Sequence, residues 1–310
     1  MITRYFNEII IDDNYIFKIS TNEKLADEIF YYEQIQKYPQ KYLFADYFGN
    51  YSNGLKYILK IKYYENHLNF YEYCNIADQK TVTNSFIKLL SNIENLHLNI
   101  EDEKFPNNNS ELNNLNKYIL FEKTINEYEK FVAESDLNFF YGFLTCNNKK
   151  ILNFNELWPQ IKKELAAHQY LNRLSLIHGD LCLSNILINE KKEIVFIDPR
   201  GSYHMKGCYG FYLYDYAKLL HSLHGNYESI IYDRYQFKQI SYNQFEINIE
   251  NKFDFLNDLF KNLFDDKTFN YLKLIEGLLF ISMCSRHKEN IEHQKVMYLQ
   301  GLKILNECIL

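Results

Sequence analysis

The sequence predicts an α+β fold: a small antiparallel sheet with one helix, followed by a larger, mainly helical part. Three observations carry this expectation. Up to about residue 64, β-branched and aromatic runs are broken by Asp, Asn and Gly turns; after that, helical periodicity prevails; and one polar segment, "LIHGDLCLSNILINEKKEIVFIDPRG" (176–201), is built around two short apolar runs. With 310 residues and 47% hydrophobic side chains, the chain can bury a sizeable core.

Taken in order, "EIIIDDNYIFKI" (8–19) reads as a hairpin of two apolar runs around an Asp-Asp-Asn turn. Ser20 and Glu23 then have capping-box spacing, and Leu25, Ile29, Tyr32 and Ile35 recur at helical spacing. "YLFADYFGNYSNGLKYILKIKYY" reads as two strands joined by a turn around Gly49 to Gly54. "DQKTVTNSFIKLLSNIENLHL", "NNLNKYILFEKTINEYEKFVAE" and "ELWPQIKKELAAHQYLNRL" are helical in period, with the polar break "EDEKFPNNNS" after the first, and helix is expected again after residue 214. The expected organisation is a sheet lobe over 1–64 and a helical lobe over 65–310.

Composition narrows the function classes. The net charge of -6, with no Lys/Arg-dominated run, argues against a nucleic-acid partner, because phosphate neutralisation needs clustered cations. The six cysteines are scattered without C-x-x-C or His-Cys clustering and read as reduced thiols. The N-terminus has acids where a signal peptide needs an apolar stretch, and the most apolar late segment, "LIEGLLFISMC", is short and contains Glu276. A soluble cytoplasmic protein without a membrane partner is expected.

In the polar segment, "NILI" and "IVFID" read as two strands joined by "NEKKE". In an antiparallel hairpin the first residue of one strand lies beside the last of its partner, so Asn185 and Asp198 should meet at one end. Asp180, on a loop opened by Gly179, lies within reach of that end. One amide oxygen and two carboxylates suit Mg²⁺, which completes its shell with water and phosphate, so phosphoryl transfer is the chemistry this pattern indicates. Asp180 is assigned to accept the proton of the acceptor hydroxyl; Asn185 and Asp198 are assigned to the metal on the nucleotide phosphates.

"HGDLCLSNIL" followed by "FIDPRG" resembles the catalytic loop and metal-binding Asp of the aminoglycoside phosphotransferase and choline kinase superfamily. The resemblance implies a two-lobed protein-kinase-like fold, with 1–64 as the nucleotide-binding lobe and 65–310 as the catalytic and substrate-binding lobe. His178 matches the loop histidine, a structural support. Such a site also needs a strand Lys and a helical Glu: Lys18 in "NYIFKIS" fits, with Glu28 as its partner and Glu33 as the alternative. The hinge backbone near Ile61 to Tyr63 would hold the adenine. The chain departs from many kinases in having no Gly before Gly49, so "TRYFNE" stands where a glycine-rich loop would be. Asp215 in "YDYAKL" resembles the aspartate that braces the catalytic loop. Arg200, next to Asp198, is a candidate to bind the transferred phosphate or the acceptor, and His221, His224, Arg286 and His287 are candidates for the acceptor pocket, since the superfamily builds that pocket from its C-terminal helices.

The expected activity is therefore an ATP- or GTP-dependent kinase that phosphorylates a hydroxyl on a small molecule. The "HGDLCLSNIL…IDPRG" variant also resembles a branch of phosphotransferases linked to capsule and surface-polysaccharide biosynthesis, which favours a sugar or amino-alcohol acceptor. The alternative is a nucleotide-binding pseudokinase acting as a scaffold. Protein kinase activity is disfavoured because no A-P-E-like segment follows "DPRG".

Overall fold

The N-terminal hairpin forms as the sequence indicates. β1 (Glu8–Asp12) and β2 (Tyr15–Ser20) pair antiparallel with Asp12 opposite Tyr15. The two-residue turn is closed by Asp13 at φ 50°, a left-handed conformation that a short polar side chain tolerates. In this computed structural model the described residues are 8–97, 109–135, 140–203 and 205–310.

By contacts, the chain divides into two units: Met1–Phe105 with Leu174–Tyr212, and Pro106–Arg173 with Leu213–Leu310. In the first, α1 (Glu23–Ile35) follows β2 directly, and β3 (Tyr47–Ser52) and β4 (Tyr57–Lys62) complete a four-stranded antiparallel sheet of order β1-β2-β4-β3. Leu25, Ile29, Tyr32 and Ile35 are buried, as their helical spacing predicts. The cap differs from expectation. Ser20 ends β2, and Asn22 caps α1, its side-chain oxygen accepting from the Lys24 N–H at 2.9 Å. Strand pairing of Ser20 with Tyr57 carries the ladder too far for Ser20 to serve as the cap. The β3–β4 turn is likewise shorter than expected: Asn53 Oδ1 accepts from the Leu55 and Lys56 N–H groups, while Gly49, at φ 116°, makes a bulge within β3.

The same unit contains β5 (His67–Asn69), α2 (Phe70–Ile76) and α3 (Gln79–Leu96), then β6 (Leu174–Leu176), which leads into the polar segment. β7 (Ile186–Asn189) and β8 (Ile194–Phe196) form the expected hairpin, with Ile186 opposite Phe196 and β5 on the far side of β7. A small hairpin of β9 (Ser202–Tyr203) and β10 (Met205–Lys206) follows, then β11 (Tyr209–Phe211), which pairs with β6.

The second unit holds the other helices the sequence indicates, among them Lys123–Glu134, Phe154–His168, Leu213–Leu223, Asp266–Cys284 and Ile291–Ile309. The last two pack extensively around Leu274, Leu278, Val296 and Leu302, all buried. The expectation of a helical region is incomplete, because this unit also contains a four-stranded sheet. Hairpins Phe143–Cys146/Lys149–Leu152 and Tyr235–Ser241/Gln244–Ile249 join through parallel pairing of Gln244 with Thr145. The Asn147 side chain seals the join, donating to the Ile247 carbonyl and accepting from its N–H, each at 2.8 Å. Neither hairpin buries a face alone, so the sheet depends on a partner about a hundred residues away and leaves little local trace. Among the described residues no helix is long and apolar enough to cross a membrane, and all six cysteines are free of disulfides.

If Asn22 sets the start of α1, Asn22→Ala should lower the unfolding free energy by about 1 kcal/mol in urea titration. An unchanged midpoint would mean the cap does not hold this helix.

Candidate active site

Strand alternation along β2 points Ile16, Lys18 and Ser20 to the buried side. Lys18 is 5% exposed, a position an ammonium takes only when paired. Its Nζ lies 2.7 Å from Glu28 Oε1 on α1 and also donates to Asp198 Oδ1. Burial alone would lower the Lys18 pKa; the carboxylates of Asp198 and Glu28 outweigh it and hold the ammonium above its ordinary range. Glu28 is thus the partner, whereas Glu33 faces out and accepts from Asn50 Nδ2 at 2.8 Å. Tyr32, one turn beyond Glu28, is fully buried. Its hydroxyl has no hydrogen-bond partner among the described residues, and the phenol is pushed up first by burial and then by the charges of Glu28 and Asp198.

The loop after β6 is held by its histidine. His178 is buried, stacked on Phe44 with ring centroids 5.9 Å apart and edge-on to Phe196. Nε2–H donates to the Ile197 carbonyl at 2.9 Å, and Nδ1 accepts from the Asp180 N–H at 3.1 Å, a pair of bonds that defines the Nε2–H tautomer. His178 thereby ties the backbone at Asp180 to the residue preceding Asp198. Gly179 has φ 82°, and the space where its side chain would be is filled by the Tyr203 phenol, so only glycine fits. The Asp180 carbonyl accepts from Asn185 Nδ2 at 2.7 Å, turning the Asn185 amide oxygen away from the loop, while the Asn185 carbonyl accepts from the Ile197 N–H at 3.0 Å. The hairpin end therefore carries Asn185 and, one residue past its last backbone bond, Asp198, at a left-handed φ of 59°. Asp180 is half-buried, with the Cys182 thiol 3.8 Å from its Oδ1.

Lys18, Glu28, His178, Asp180, Asn185 and Asp198 are thus linked within one unit. The other sequence candidates are placed differently. The Tyr63 N–H, expected to face adenine, donates to the Asn14 carbonyl at 2.7 Å, and the side chain of Ile61 is buried in the sheet; strand-end bonding competes for the hinge donors. Of "TRYFNE", only Glu8 falls among the described residues. Arg200 folds onto its own segment, Nε donating to the Ser202 carbonyl at 3.0 Å and the guanidinium 5.0 Å from the Tyr203 ring centre.

In the second unit, Asp215 is buried in the first turn of its helix. His221 is buried between Phe280 and Tyr227, with ring centres 4.0 and 4.6 Å away, which makes it a packing residue. His224 Nδ1 lies 3.0 Å from buried Glu276, Arg286 lies 3.5 Å from Glu127, and His287 lies 3.1 Å from Glu289. Sequence reading missed Tyr31, Tyr32, Tyr203 and Gly201, which pack around the linked residues; the only local signal was the pair of glycines beside charged residues in "HGD" and "PRG".

A buried Lys–Glu pair beneath a sheet, joined to an Asp at the end of a two-stranded hairpin, defines the class: a phosphotransferase of protein-kinase-like fold. The fructosamine kinase family model matches residues 64–253, more than half of the chain, and the chain belongs to that family. Solved structures of the same fold include LicA in complex with AMP (TM-score 0.54, 12% identity, covering 98% of this chain and 89% of that one). A putative fructosamine-3-kinase from Haemophilus somnus 129PT aligns with TM-score 0.55 at 12% identity over 98% of this chain and 91% of that one. Choline kinase LicA from Streptococcus pneumoniae aligns with TM-score 0.51 at 13% identity over 98% and 91%. No curated protein matches the sequence at a significant level. Family membership makes the chain a kinase that acts on a hydroxyl group of a small molecule.

The His224–Glu276 pair gives a pH dependence. Glu276, fully buried, is raised by burial, and its carboxylate raises His224 in turn. The pair therefore holds a proton more tightly in the folded protein than in the unfolded chain. For His224, stability is fully present below the ordinary histidine value of about 6.5 and is lost as pH rises through the folded value; the same sign holds for Glu276 from its carboxylate range upward. Urea midpoints should fall more steeply across neutral pH in the wild type than in Glu276→Gln. Equal slopes would contradict the assignment.

Proposed function

We propose that the protein transfers the γ-phosphoryl group of ATP, or of GTP, to a hydroxyl of a sugar or amino alcohol. The observation that carries this reading is the buried Lys18 ammonium held jointly by Glu28 and Asp198. A Lys kept charged at that place serves the nucleotide phosphates, and an Asp that shares it belongs at the same phosphates. A scaffold that had lost catalysis would have no use for this set beside an intact Asp180 loop.

Asn185 and Asp198 offer one amide oxygen and one carboxylate, hard donors that suit Mg²⁺. With only these two protein donors, such an ion would take its remaining ligands from phosphate and water. The unpartnered Tyr32 hydroxyl, near Glu28 and Asp198, supports the presence of a further oxygen-bearing group there. When bound, Mg²⁺ supplies neutralisation of the phosphate charge.

The work of the chain's own residues follows. Lys18 holds the phosphates, and Glu28 holds Lys18. His178 fixes the loop so that Asp180 meets the acceptor. As the acceptor oxygen bonds to the γ-phosphorus, its proton passes to the Asp180 carboxylate, and the bond from γ-phosphorus to the bridging oxygen breaks, releasing the diphosphate. Residues 1–64 serve as the nucleotide lobe. Arg200, His224, Arg286 and His287 remain candidates for binding the acceptor, whereas His221 is assigned to packing.

Fructosamine, the compound for which the family is named, joins a sugar to an amine, which agrees with the acceptor class read from the sequence. Choline, for which one structural neighbour is named, is an amino alcohol. A cytoplasmic place in surface-polysaccharide synthesis belongs to the same reading.

Transfer of labelled phosphate from ATP to a panel of glycated amines, sugars and amino alcohols tests it directly. Asp180→Asn should lower kcat by about 10²–10⁴-fold and leave nucleotide affinity within about threefold of wild type. Turnover near wild type would remove Asp180 from its role, and nucleotide binding with no acceptor phosphorylated would favour the scaffold.

A further inference from the structure

Helix α1 does more than present Glu28: the helix and the turn after it are fastened to the catalytic segments at three points. At the first, the main-chain carbonyl of Asp27 occupies the space where a side chain on Gly201 would lie, so any Cβ at Gly201 would overlap α1 backbone. The Asp27 carboxylate is also 3.4 Å from Lys206 Nζ on β10. One turn on, the buried Tyr31 hydroxyl donates to the Ile177 carbonyl at 2.8 Å, immediately before His178. Just beyond the helix, the Tyr38 hydroxyl shares a hydrogen bond with that of Tyr209 on β11. Asp27 and Tyr31 are i, i+4 neighbours on one face of α1 with Glu28 beside them, and Tyr38 follows three residues past the helix end.

The three anchor points lie on three short segments around the two catalytic stretches. Ile177 opens the loop that carries His178 and Asp180, and β11 pairs with the strand leading into it. Gly201 closes the "DPRG" turn that begins at Asp198, and the Arg200 N–H donates back to the His178 carbonyl at 2.8 Å. The Asp27 and Tyr31 contacts therefore join the helix bearing Glu28 to both segments that bear the acidic residues. A slip of α1 by one residue moves Glu28 about 1.5 Å along the axis, enough to break a 2.7 Å contact with Lys18. In protein kinases the corresponding Lys–Glu pair is made or broken as the helix moves, and activation controls it. Here the helix backbone meets a glycine with no room to spare, and a buried hydroxyl is committed to the loop.

We propose that Tyr31 and Gly201 are positioning residues for phosphoryl transfer: they pin α1 to the catalytic segments, so that Glu28 stays against Lys18 without an activating modification or partner. The inference rests on the reading of Lys18 as the phosphate-holding residue. Gly201→Ala drives α1 outward, and Tyr31→Phe removes one hydroxyl while keeping the ring.

The test is calorimetric titration of the full chain with ATP and with adenosine in the presence of Mg²⁺, for wild type, Tyr31→Phe, Gly201→Ala and Lys18→Met, after confirming a cooperative melt for each. Because adenosine lacks the phosphates, positioning predicts a split. ATP affinity should fall about tenfold in Gly201→Ala and about threefold in Tyr31→Phe, with adenosine within about twofold of wild type in both. In a Lys18→Met background neither change should weaken ATP binding further. Should Gly201→Ala fail to fold, the Tyr31→Phe split decides. Parallel loss of ATP and adenosine, or unchanged ATP affinity in folded variants, overturns the inference when Lys18→Met itself weakens ATP. If Lys18→Met binds ATP as wild type does, the reading of Lys18 falls, and the inference falls with it.

Discussion

A buried ammonium between two carboxylates is the interaction on which the first unit is organised. Removing Lys18 from water costs several kcal/mol that only close, well-placed negative charge can offset. Glu28 and Asp198 supply that charge, from positions 10 and 180 residues away. Each comes from a different element, so the pairing holds only if sheet, helix and hairpin end are all in register. One ammonium facing two carboxylates also leaves an excess of negative charge, which a cation brought by a nucleotide would neutralise.

The features around this cluster serve to fix it. His178 gives one ring nitrogen to each of two segments, the loop backbone at Asp180 and the carbonyl next to Asp198, and Phe44 stacks on the ring while Phe196 meets it edge-on. Glycine appears where a close approach forbids a side chain, at Gly179 under the Tyr203 phenol and at Gly201 against α1. The left-handed backbone at Asp198 turns the chain at the end of the hairpin, a conformation that a non-glycine residue adopts at some cost and that tends to persist at functional sites.

Much of this was legible in the sequence because it is local. The alternation of "NILI" and "IVFID" locates the hairpin whose end carries Asn185 and Asp198, and helical spacing puts Glu28 beside the apolar stripe of α1, while Glu33 stayed open as a partner until its bond to Asn50 placed it elsewhere. What depends on distant partners was not legible. Asn22 displaces Ser20 as the cap because β4 extends the ladder on β2, the Tyr63 N–H is taken by Asn14, and the second sheet exists only where Gln244 meets Thr145. Lone histidines were ambiguous for the same reason: nothing within "HSLHGNY" distinguishes His221, packed against Phe280, from His224, bonded to Glu276. The acceptor is the least legible part, since its class comes from family likeness and not from a constellation of residues.

On this reading Asp198, joined to Lys18, lies at a metal-dependent nucleotide site. The decisive measurement is the melting temperature with and without ATP, each with and without Mg²⁺, for wild type and Asp198→Ala, because a ligand that binds only the native state stabilises it by RT ln(1 + [L]/Kd). The expected result is a rise in the wild type that requires both ATP and Mg²⁺ and is lost in Asp198→Ala. An equal rise in the mutant, or none in the wild type with either ATP or GTP, would contradict it.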